Sequence, residues 1–137
     1  MSVDFIDTNV FIYLFDEADS QKREVSRSLI NEALASGSGR ISFQVVQESL
    51  NVLTMKVGAS TDDAQRFYDA VLEPLWSVAP SSHLYKSALE LRDRYRFSYY
   101  DSLIIAAARS AGADRLLSED LQDGQVIGDM VITNPFG

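Results

Sequence analysis

The sequence lacks cysteine altogether and contains a single histidine, His83. These two absences exclude disulfides, thiolate zinc sites, cysteine nucleophiles and any metal site built from several imidazoles. A metal ion held by this chain must therefore have oxygen ligands, which Mg²⁺ and Mn²⁺ prefer. The candidate chemistry accordingly lies with the carboxylates.

Long apolar runs and positive charge are also scarce. The apolar run at 103–108 is too short to span a bilayer, and no basic segment precedes an apolar stretch at the N-terminus. We therefore expect a cytoplasmic protein that does not contact a membrane. Twelve Lys and Arg against twenty Asp and Glu give a net charge of -8, which disfavours nonspecific binding of nucleic acid. Divalent cations bound at an acidic site would still make the local field positive where a phosphate docks.

Strand and helix patterns alternate along the chain without a repeat, a low-complexity tract or a Pro/Gly linker. At this length we expect one domain, covering residues 1–137. The alternation predicts an α/β fold, a three-layer α/β/α sandwich with a central, mainly parallel sheet. The predicted strands are 3–6, 40–43, 76–79, 115–117 and 130–132, and the predicted helices are 9–15, 20–35 capped by Ser20, 44–57, one that begins after 60–61 and ends before Pro74, 81–95 and 100–110.

Five acidic residues lie where a chain of this kind usually has apolar or neutral residues. They are Asp7 at the end of the first strand, Glu48 within an apolar helix, Asp101 before the apolar run at 103–108, and Asp120 and Asp123 after the strand that ends at 117. A desolvated carboxylate costs several kcal/mol unless it is paired, protonated or bound to a metal. In open parallel sheets the ligand crevice lies outside the carboxyl ends of the strands. We therefore expect Asp7 and Asp120 to meet at one edge.

Each of these acids also has a purely structural interpretation. Asp7 can cap the helix that follows it, and Asp101 fits the spacing of a capping box. Glu48 falls within one apolar stripe of its helix, formed by Val45, Val52 and Met55. In this position a structural role would require an arginine or lysine partner. Asp120 and Asp123 lie in a polar loop, which is usually an exposed turn.

Convergence of the acids would be unfavourable without a counterion. Two carboxylates about 4 Å apart repel by roughly 4 kcal/mol at an effective dielectric constant near 20. Either cations occupy such a site, or some of the acids are protonated with raised pKa values. Two divalent ions can activate a water molecule and stabilise both oxygens of an in-line displacement at phosphorus. The acidic set therefore favours phosphodiester hydrolysis.

The ordered set of motifs resembles the PIN-domain ribonucleases, and specifically the VapC-type toxins of bacterial and archaeal toxin–antitoxin pairs. The resemblance covers essentially the whole chain. The matching segments are Phe-Ile-Asp-Thr-Asn-Val at 5–10, Gln-Glu at 47–48, Tyr-Asp-Ser-Leu-Ile-Ile-Ala-Ala-Ala at 100–108, Leu-Ser-Glu-Asp at 117–120 and Asn-Pro-Phe at 134–136.

The resemblance implies a site, a cofactor and partners. It implies an Mg²⁺- or Mn²⁺-dependent endoribonuclease that cleaves RNA, including transfer RNA, and that forms a homodimer whose active-site groove is covered by a cognate antitoxin. Its catalytic metal ligands would be Asp7, Glu48, Asp101 and Asp120, with Asp123 as an auxiliary or alternative fourth acid. The groups that hold the carboxylates or the metal-bound water would be Thr8, Asn9 and Ser118.

Other functions fit the sequence less well. A haloacid-dehalogenase-like phosphatase usually needs a second aspartate where this chain has Asn9, and a response receiver needs a lysine where it has Ser118. A flap nuclease of the same superfamily needs a longer chain. A catalytically inactive PIN-fold protein-binding module would have lost one or more of the acids, and all are present. That module remains the alternative function.

Overall fold

A six-stranded sheet forms the centre of the computed structural model, which describes residues 2–137. The strands are β1 (Asp4–Ile6), β2 (Gly39–Ser42), β3 (Trp76–Val78), β4 (Arg115–Leu117), β5 (Val126–Ile127) and β6 (Met130–Thr133). Their order across the sheet is β3-β2-β1-β4-β6-β5. All neighbouring pairs are parallel except β5 and β6, which are antiparallel. The predicted α/β/α architecture with a mainly parallel sheet is confirmed.

Helices connect the parallel strands and cover the sheet. The helices are α1 (Thr8–Ile12), α2 (Ser20–Ser36), α3 (Phe43–Val52), α4 (Thr61–Phe67), α5 (Glu73–Leu75), α6 (Ser82–Tyr95) and α7 (Tyr99–Ser110). A 3-10 turn at Tyr13–Phe15 continues α1, and a π-helical segment at Leu53–Val57 continues α3. A second π-helical segment, at Tyr68–Leu72, joins α4 to α5. In the part of the chain that the structure describes, no helix has the length and apolar character needed to cross a membrane.

The order of the strands places the central crevice beside β1. From β1 the chain runs outward through β2 to β3, and then crosses back to β4 on the other side of β1. Crossovers on the two sides of β1 leave their helices on opposite faces, so the loops after β1 and β4 diverge and open a crevice between them. Asp7 directly follows β1, and Ser118 directly follows β4. The fold therefore brings both residues to this crevice.

The core explains why the middle strands and α7 are almost continuously apolar. Phe5 in β1 and Leu116 in β4 are fully buried, as are Ile105 and its alanine neighbours in α7. Parallel strands covered on both faces have no polar side, and a helix packed between the sheet and α6 has little exposed surface. The burial of α7 fixes its N-terminal turn, which carries Asp101, against the carboxyl edge of the sheet.

The structure differs from the local predictions at three places. The cap of α2 is Asp19, whose side chain accepts a hydrogen bond from the Lys22 amide, and not Ser20. The helix after Ser60, α4, ends at Phe67 and so before Pro74, as predicted, but the chain stays helical through the π-helical segment into α5, whose first turn contains Pro74, where its missing N–H is not needed. The strand β5 was not predicted, since two residues are too short to show an alternating pattern.

The apolar stripe predicted around Glu48 also differs from the structure. Glu48 is exposed, and Met55, which was assigned to the same stripe, is 76% exposed. The π-helical segment at Leu53–Val57 has more residues per turn than an α-helix, so the side chains after Val52 are rotated away from the α-helical positions. The buried face of α3 instead carries Gln44, Val45, Val46 and Ser49.

Gly39 allows α2 to pack closely against β2. A Cβ atom at this position would lie 2.7 Å from Ala33 Cβ and 2.9 Å from Leu75 Cδ2. We expect Gly39→Ala to lower the free energy of unfolding by about 1–3 kcal/mol, because α2 and α5 must both move to relieve the overlap. Urea denaturation measures this change. Ser38→Ala, one residue earlier and partly exposed, is the control and should change stability by less than ~0.5 kcal/mol; equal effects of the two substitutions would contradict the steric explanation.

Candidate active site

Four acidic side chains line one cleft of about 280 Å³ at the carboxyl edge of the sheet. They come from four separate elements: Asp7 from the junction of β1 and α1, Glu48 from α3, Asp101 from the first turn of α7, and Asp120 from the loop after β4. A larger groove of about 680 Å³ lies between α3 and α4, but it contains a single carboxylate. The smaller cleft therefore carries the concentrated chemistry.

Asp7 is held at the switch point of the sheet by two hydrogen bonds to its carboxylate. The Thr8 amide donates to Asp7 Oδ1 at 2.7 Å, and the buried Ser118 hydroxyl donates to Asp7 Oδ2 at 2.8 Å. The Asp7 amide in turn donates to the Leu117 carbonyl at 3.0 Å. Asp7 thus caps α1, as the structural interpretation predicts, and also faces the cleft. The two roles are compatible, because each carboxylate oxygen retains a further lone pair.

The pKa of Asp7 is raised from 3.8 to about 6. Burial is the largest cause, because it disfavours the charged form. The hydrogen bonds from Ser118 and Thr8 lower the pKa, whereas the negative charges of Asp120 and Glu48 raise it further. Negative charge is therefore unfavourable in the cleft, and a bound cation would relieve this.

The first turn of α1 contacts two of the other acids. Thr8 Oγ1 donates to Glu48 Oε1 at 2.8 Å, and Asn9 Nδ2 donates to Asp120 Oδ2 at 2.5 Å. Thr8 and Asn9, like Ser118, are thus neutral donors to the acids. Such donors orient a carboxylate without neutralising it.

Asp101 differs from the other acids in having a free carboxylate. Its amide donates to Ser98 Oγ at 3.1 Å, which caps α7, but within residues 2–137 its side chain makes no hydrogen bond or ion pair. The lysine or arginine partner that a structural role of Glu48 would require is likewise absent from the described residues. The charges in the cleft are therefore left uncompensated by the chain itself.

Asp123 lies outside the cleft. Its Oδ1 accepts a hydrogen bond from the Asn134 amide at 2.9 Å and so ties the loop after β4 to the C-terminal segment. It does not line the cleft, whereas Asp120 does. The geometry thus favours Asp120 over Asp123 as the fourth acid.

The donor set fits a hard divalent cation in its chemistry. Every polar side chain that lines the cleft offers oxygen or an amide, and four of them are carboxylates. Among the described residues, no three acidic side chains lie close enough together to enclose a metal ion. The exposed Glu48 and Asp120 are held by single neutral hydrogen bonds, which are weak enough to be exchanged for a stronger cation contact.

Two groups of residues near the acids were not predicted from the sequence. Gln44 and Tyr100 line the cleft beside Glu48 and Asp101. Their spacing was the available signal, since Gln44 is one helical turn before Glu48 on α3 and Tyr100 immediately precedes Asp101.

The second group fixes the loop that carries Asp120. Lys22 Nζ lies 2.7 Å from Glu119 Oε2, and Tyr13 OH donates to Glu119 Oε1 at 2.5 Å. Lys22 also lies 5.6 Å from the centre of the Phe136 ring. The hydrogen bond from Lys22, and then that from Tyr13, hold the pKa of Glu119 below its usual value. Among the acids of this loop, Glu119 is therefore the one that forms an ion pair with a lysine, and this pair anchors the loop from outside the cleft.

Comparison with known proteins identifies the family. The family model described as PIN domain matches residues 5–122. None of the curated proteins compared with the chain matches it.

Three solved structures share the fold at low sequence identity. VapC20 of Mycobacterium tuberculosis, a sarcin-ricin loop cleaving toxin, is 20% identical over 85% of this chain and 91% of its own, with a TM-score of 0.62. A toxin–antitoxin complex from Klebsiella pneumoniae is 21% identical over 97% and 98% of the two chains, with a TM-score of 0.67. VapBC2 from Rickettsia felis, bound to a DNA fragment from its promoter, is 17% identical over 96% and 98%, with a TM-score of 0.63. Because the family model covers most of the chain, from β1 to the loop that contains Asp120, the chain belongs to the PIN domain family.

Proposed function

We propose that this protein is a metal-dependent endoribonuclease and the toxin of a toxin–antitoxin pair, acting in the cytoplasm. The observation that carries the proposal is the convergence of Asp7, Glu48, Asp101 and Asp120 on one cleft without a basic partner among the described residues. A cleft that concentrates negative charge cannot hold a phosphodiester by itself. It becomes a phosphodiester site when divalent cations bind.

The four acids would hold Mg²⁺ or Mn²⁺. When bound, these ions lower the pKa of a water molecule and stabilise charge on the oxygens around the phosphorus atom. The chain's own contribution is positioning. Ser118 and Thr8 donate hydrogen bonds to the two oxygens of Asp7, and Asn9 donates a hydrogen bond to Asp120 in the loop after β4. These contacts restrict the carboxylates before the ion arrives, which reduces the loss of side-chain entropy on binding.

The proposed partners follow from the structural relatives. The Klebsiella pneumoniae relative is a toxin–antitoxin complex and the Rickettsia felis relative is a VapBC complex. By analogy we propose that this chain binds a cognate antitoxin. We also propose that it forms a homodimer, which rests on the resemblance of its sequence motifs to the VapC-type toxins and not on these relatives. The complete set of four acids in one cleft argues against the alternative, a catalytically inactive PIN-fold protein-binding module.

The four acids of the cleft should be essential for cleavage, whereas Asp123 should not. We expect Glu48→Gln and Asp101→Asn to reduce RNA cleavage by more than ~100-fold, because even groups behind metal ligands often contribute 10–100-fold. The measurement is the rate of cleavage of a total cellular RNA preparation in Mg²⁺ or Mn²⁺.

The matched control is Asp123→Asn, which retains an oxygen that can accept the hydrogen bond from Asn134. It should cleave within a few-fold of the wild-type rate, and Asp120→Asn should not. Wild-type activity in Asp101→Asn, or loss of activity in Asp123→Asn with Asp120→Asn active, would contradict this assignment of the acids.

Divalent cations should raise the melting temperature of the wild-type protein. A ligand that binds only the folded state stabilises it by RT ln(1 + [L]/Kd), about 2.7 kcal/mol at one hundred times Kd. Thermal unfolding is measured with increasing MgCl₂ or MnCl₂ against matched NaCl ionic strength. Glu48→Gln and Asp101→Asn should show a smaller increase. An unchanged wild-type melting temperature at millimolar concentrations of both metals would overturn the metal-dependent part of the proposal.

Asp7 should destabilise the metal-free protein increasingly as the pH rises from about 4 to about 6. The pKa of Asp7 is about 6 in the folded protein against an ordinary value of 3.8, so between these values its side chain binds more protons in the folded state than in the unfolded state. The contribution of Asp7 to the free energy of unfolding therefore falls with rising pH. Asp7→Asn should remove this contribution and be more stable than the wild type above pH ~6, but not below pH ~4. Urea unfolding in EDTA measures the difference, and a difference independent of pH would refute the assigned pKa.

A further inference from the structure

The cleft contains polar and aromatic groups that the acidic site does not use. Gln44 and Glu48 are one turn apart on α3, and both line the cleft. Tyr100 lines the same cleft from the first turn of α7, immediately before Asp101. A carboxylate therefore has a neutral neighbour on each of these two helices.

Gln44 is a buried side chain with an unused hydrogen-bond acceptor. It is 6% exposed, and its Oε1 has no hydrogen-bond partner among the described residues. Its Nε2 donates only to the Tyr100 carbonyl, at the long distance of 3.4 Å. Buried amides are normally paired, because leaving an acceptor unpaired destabilises the fold. Turning this amide toward a ligand would break no strong interaction and would give Oε1 a donor.

Tyr100 is a large aromatic side chain left open to solvent. It is 67% exposed, although it lies in a helix whose following residues are almost all buried. The ring of Tyr99 contacts it edge-on, with 5.6 Å between ring centres and 72° between ring planes. This contact orients the Tyr100 ring without covering it. Its backbone carbonyl is also the group that receives the Gln44 amide, so the amide lies beside the backbone of Tyr100, and both residues line the cleft.

The charge of the cleft explains why neutral groups would be needed. Among residues 2–137, the side chains that line it include four carboxylates and no lysine or arginine. Bound cations can hold the scissile phosphate, but the adjoining nucleotide needs contacts that do not depend on positive charge. Stacking of an unpaired base on an aromatic ring and hydrogen bonding to its edge are such contacts.

We propose that Tyr100 and Gln44 form a subsite for one unpaired nucleobase beside the scissile phosphate. The base stacks on the Tyr100 ring and donates an N–H of its edge to Gln44 Oε1. The subsite rests on the proposed ribonuclease function and adds to it a choice of substrate: single-stranded RNA in which this base can leave its helix.

The test is a cycle between side chain and base. The wild-type enzyme is first used to map a cut site, and an RNA oligonucleotide that contains this site is made together with variants that carry one abasic nucleotide at each position near the cut. At one position adjacent to the cut, the abasic nucleotide should lower kcat/KM by about tenfold to a hundredfold, as expected for loss of one stacked base. Tyr100→Ala should lower kcat/KM on the intact oligonucleotide by a similar factor, and the same abasic position should cause no further loss in this variant.

Two variants separate stacking from other effects. Tyr100→Phe should retain the wild-type kcat/KM, because stacking does not need the hydroxyl group. Tyr85→Ala removes a 40% exposed tyrosine on α6 that does not line the cleft, and should have no effect. The subsite is overturned if Tyr100→Ala cleaves like the wild type, as a role only in antitoxin binding would predict. It is also overturned if Tyr100→Ala lowers kcat/KM by the same factor on every abasic substrate, as a structural role would predict.

Gln44→Met tests the amide separately. It removes an unpaired buried oxygen, so the melting temperature should stay the same or rise, while kcat/KM on the mapped site falls several-fold and the choice of base at that position relaxes. Sequencing of cut ends measures the preference. Unchanged preference and rate overturn the role of Gln44. Failure of the proposed function has a different signature, since the wild type itself would then cut no RNA, and the subsite would be overturned with it.

Discussion

The pairing of β1 with β4 is the constraint on which the site depends. It joins segments more than a hundred residues apart in sequence, and its register places Ile6 opposite Leu117. The next residue of each strand is therefore Asp7 on one side and Ser118 on the other, and their side chains hydrogen bond at 2.8 Å. Because the chain reverses its direction of winding at this pair of strands, the connections that leave them diverge and open a crevice at their carboxyl ends. The position of the half-buried Asp7 carboxylate and the opening to solvent therefore have the same topological origin.

The contacts around this pair keep negative charge in the cleft. Three of the four acids are oriented by a backbone amide, a hydroxyl or a side-chain amide, and none of these donors carries a charge. The contrast with Glu119 is informative, because its neighbour Lys22 neutralises it at 2.7 Å and the pair anchors the loop. Lys22 thus pairs with Glu119, which has a structural role, and the acids of the cleft have no basic partner among the described residues. This division is what a cation-binding site requires, whereas a cleft stabilised for its own sake would pair its charges.

Some of this arrangement could be predicted from the sequence, and the reasons for the limits are physical. The alternation of strands and helices was sufficient to predict the five parallel strands but not the short antiparallel β5, and an acid directly after an apolar strand indicated the edge of the crevice at Asp7. Pattern analysis assumed an unbroken α-helix after Val52, so the π-helical segment displaced Met55 from its expected stripe. For Gln44 the only signal was its spacing of one helical turn from Glu48, and this signal is weak because a glutamine in a helix is ordinarily solvated. Its significance depends on burial without a partner, which only the packed structure reveals.

The acidic character of the whole chain has a consequence for how it can select RNA. Proteins that bind nucleic acid through lysine and arginine gain affinity from counterion release at every phosphate, and this term does not distinguish one sequence from another. A chain with a net charge of -8 lacks most of that term. In the proposed ribonuclease, affinity for RNA would therefore come from a small region, where cations would engage one phosphate and neutral groups such as Tyr100 would engage an adjacent base. Binding concentrated in this way would be weak on arbitrary RNA and would depend on whether one base can be unstacked. Low nonspecific affinity and selective cleavage would then both result from the same distribution of charge.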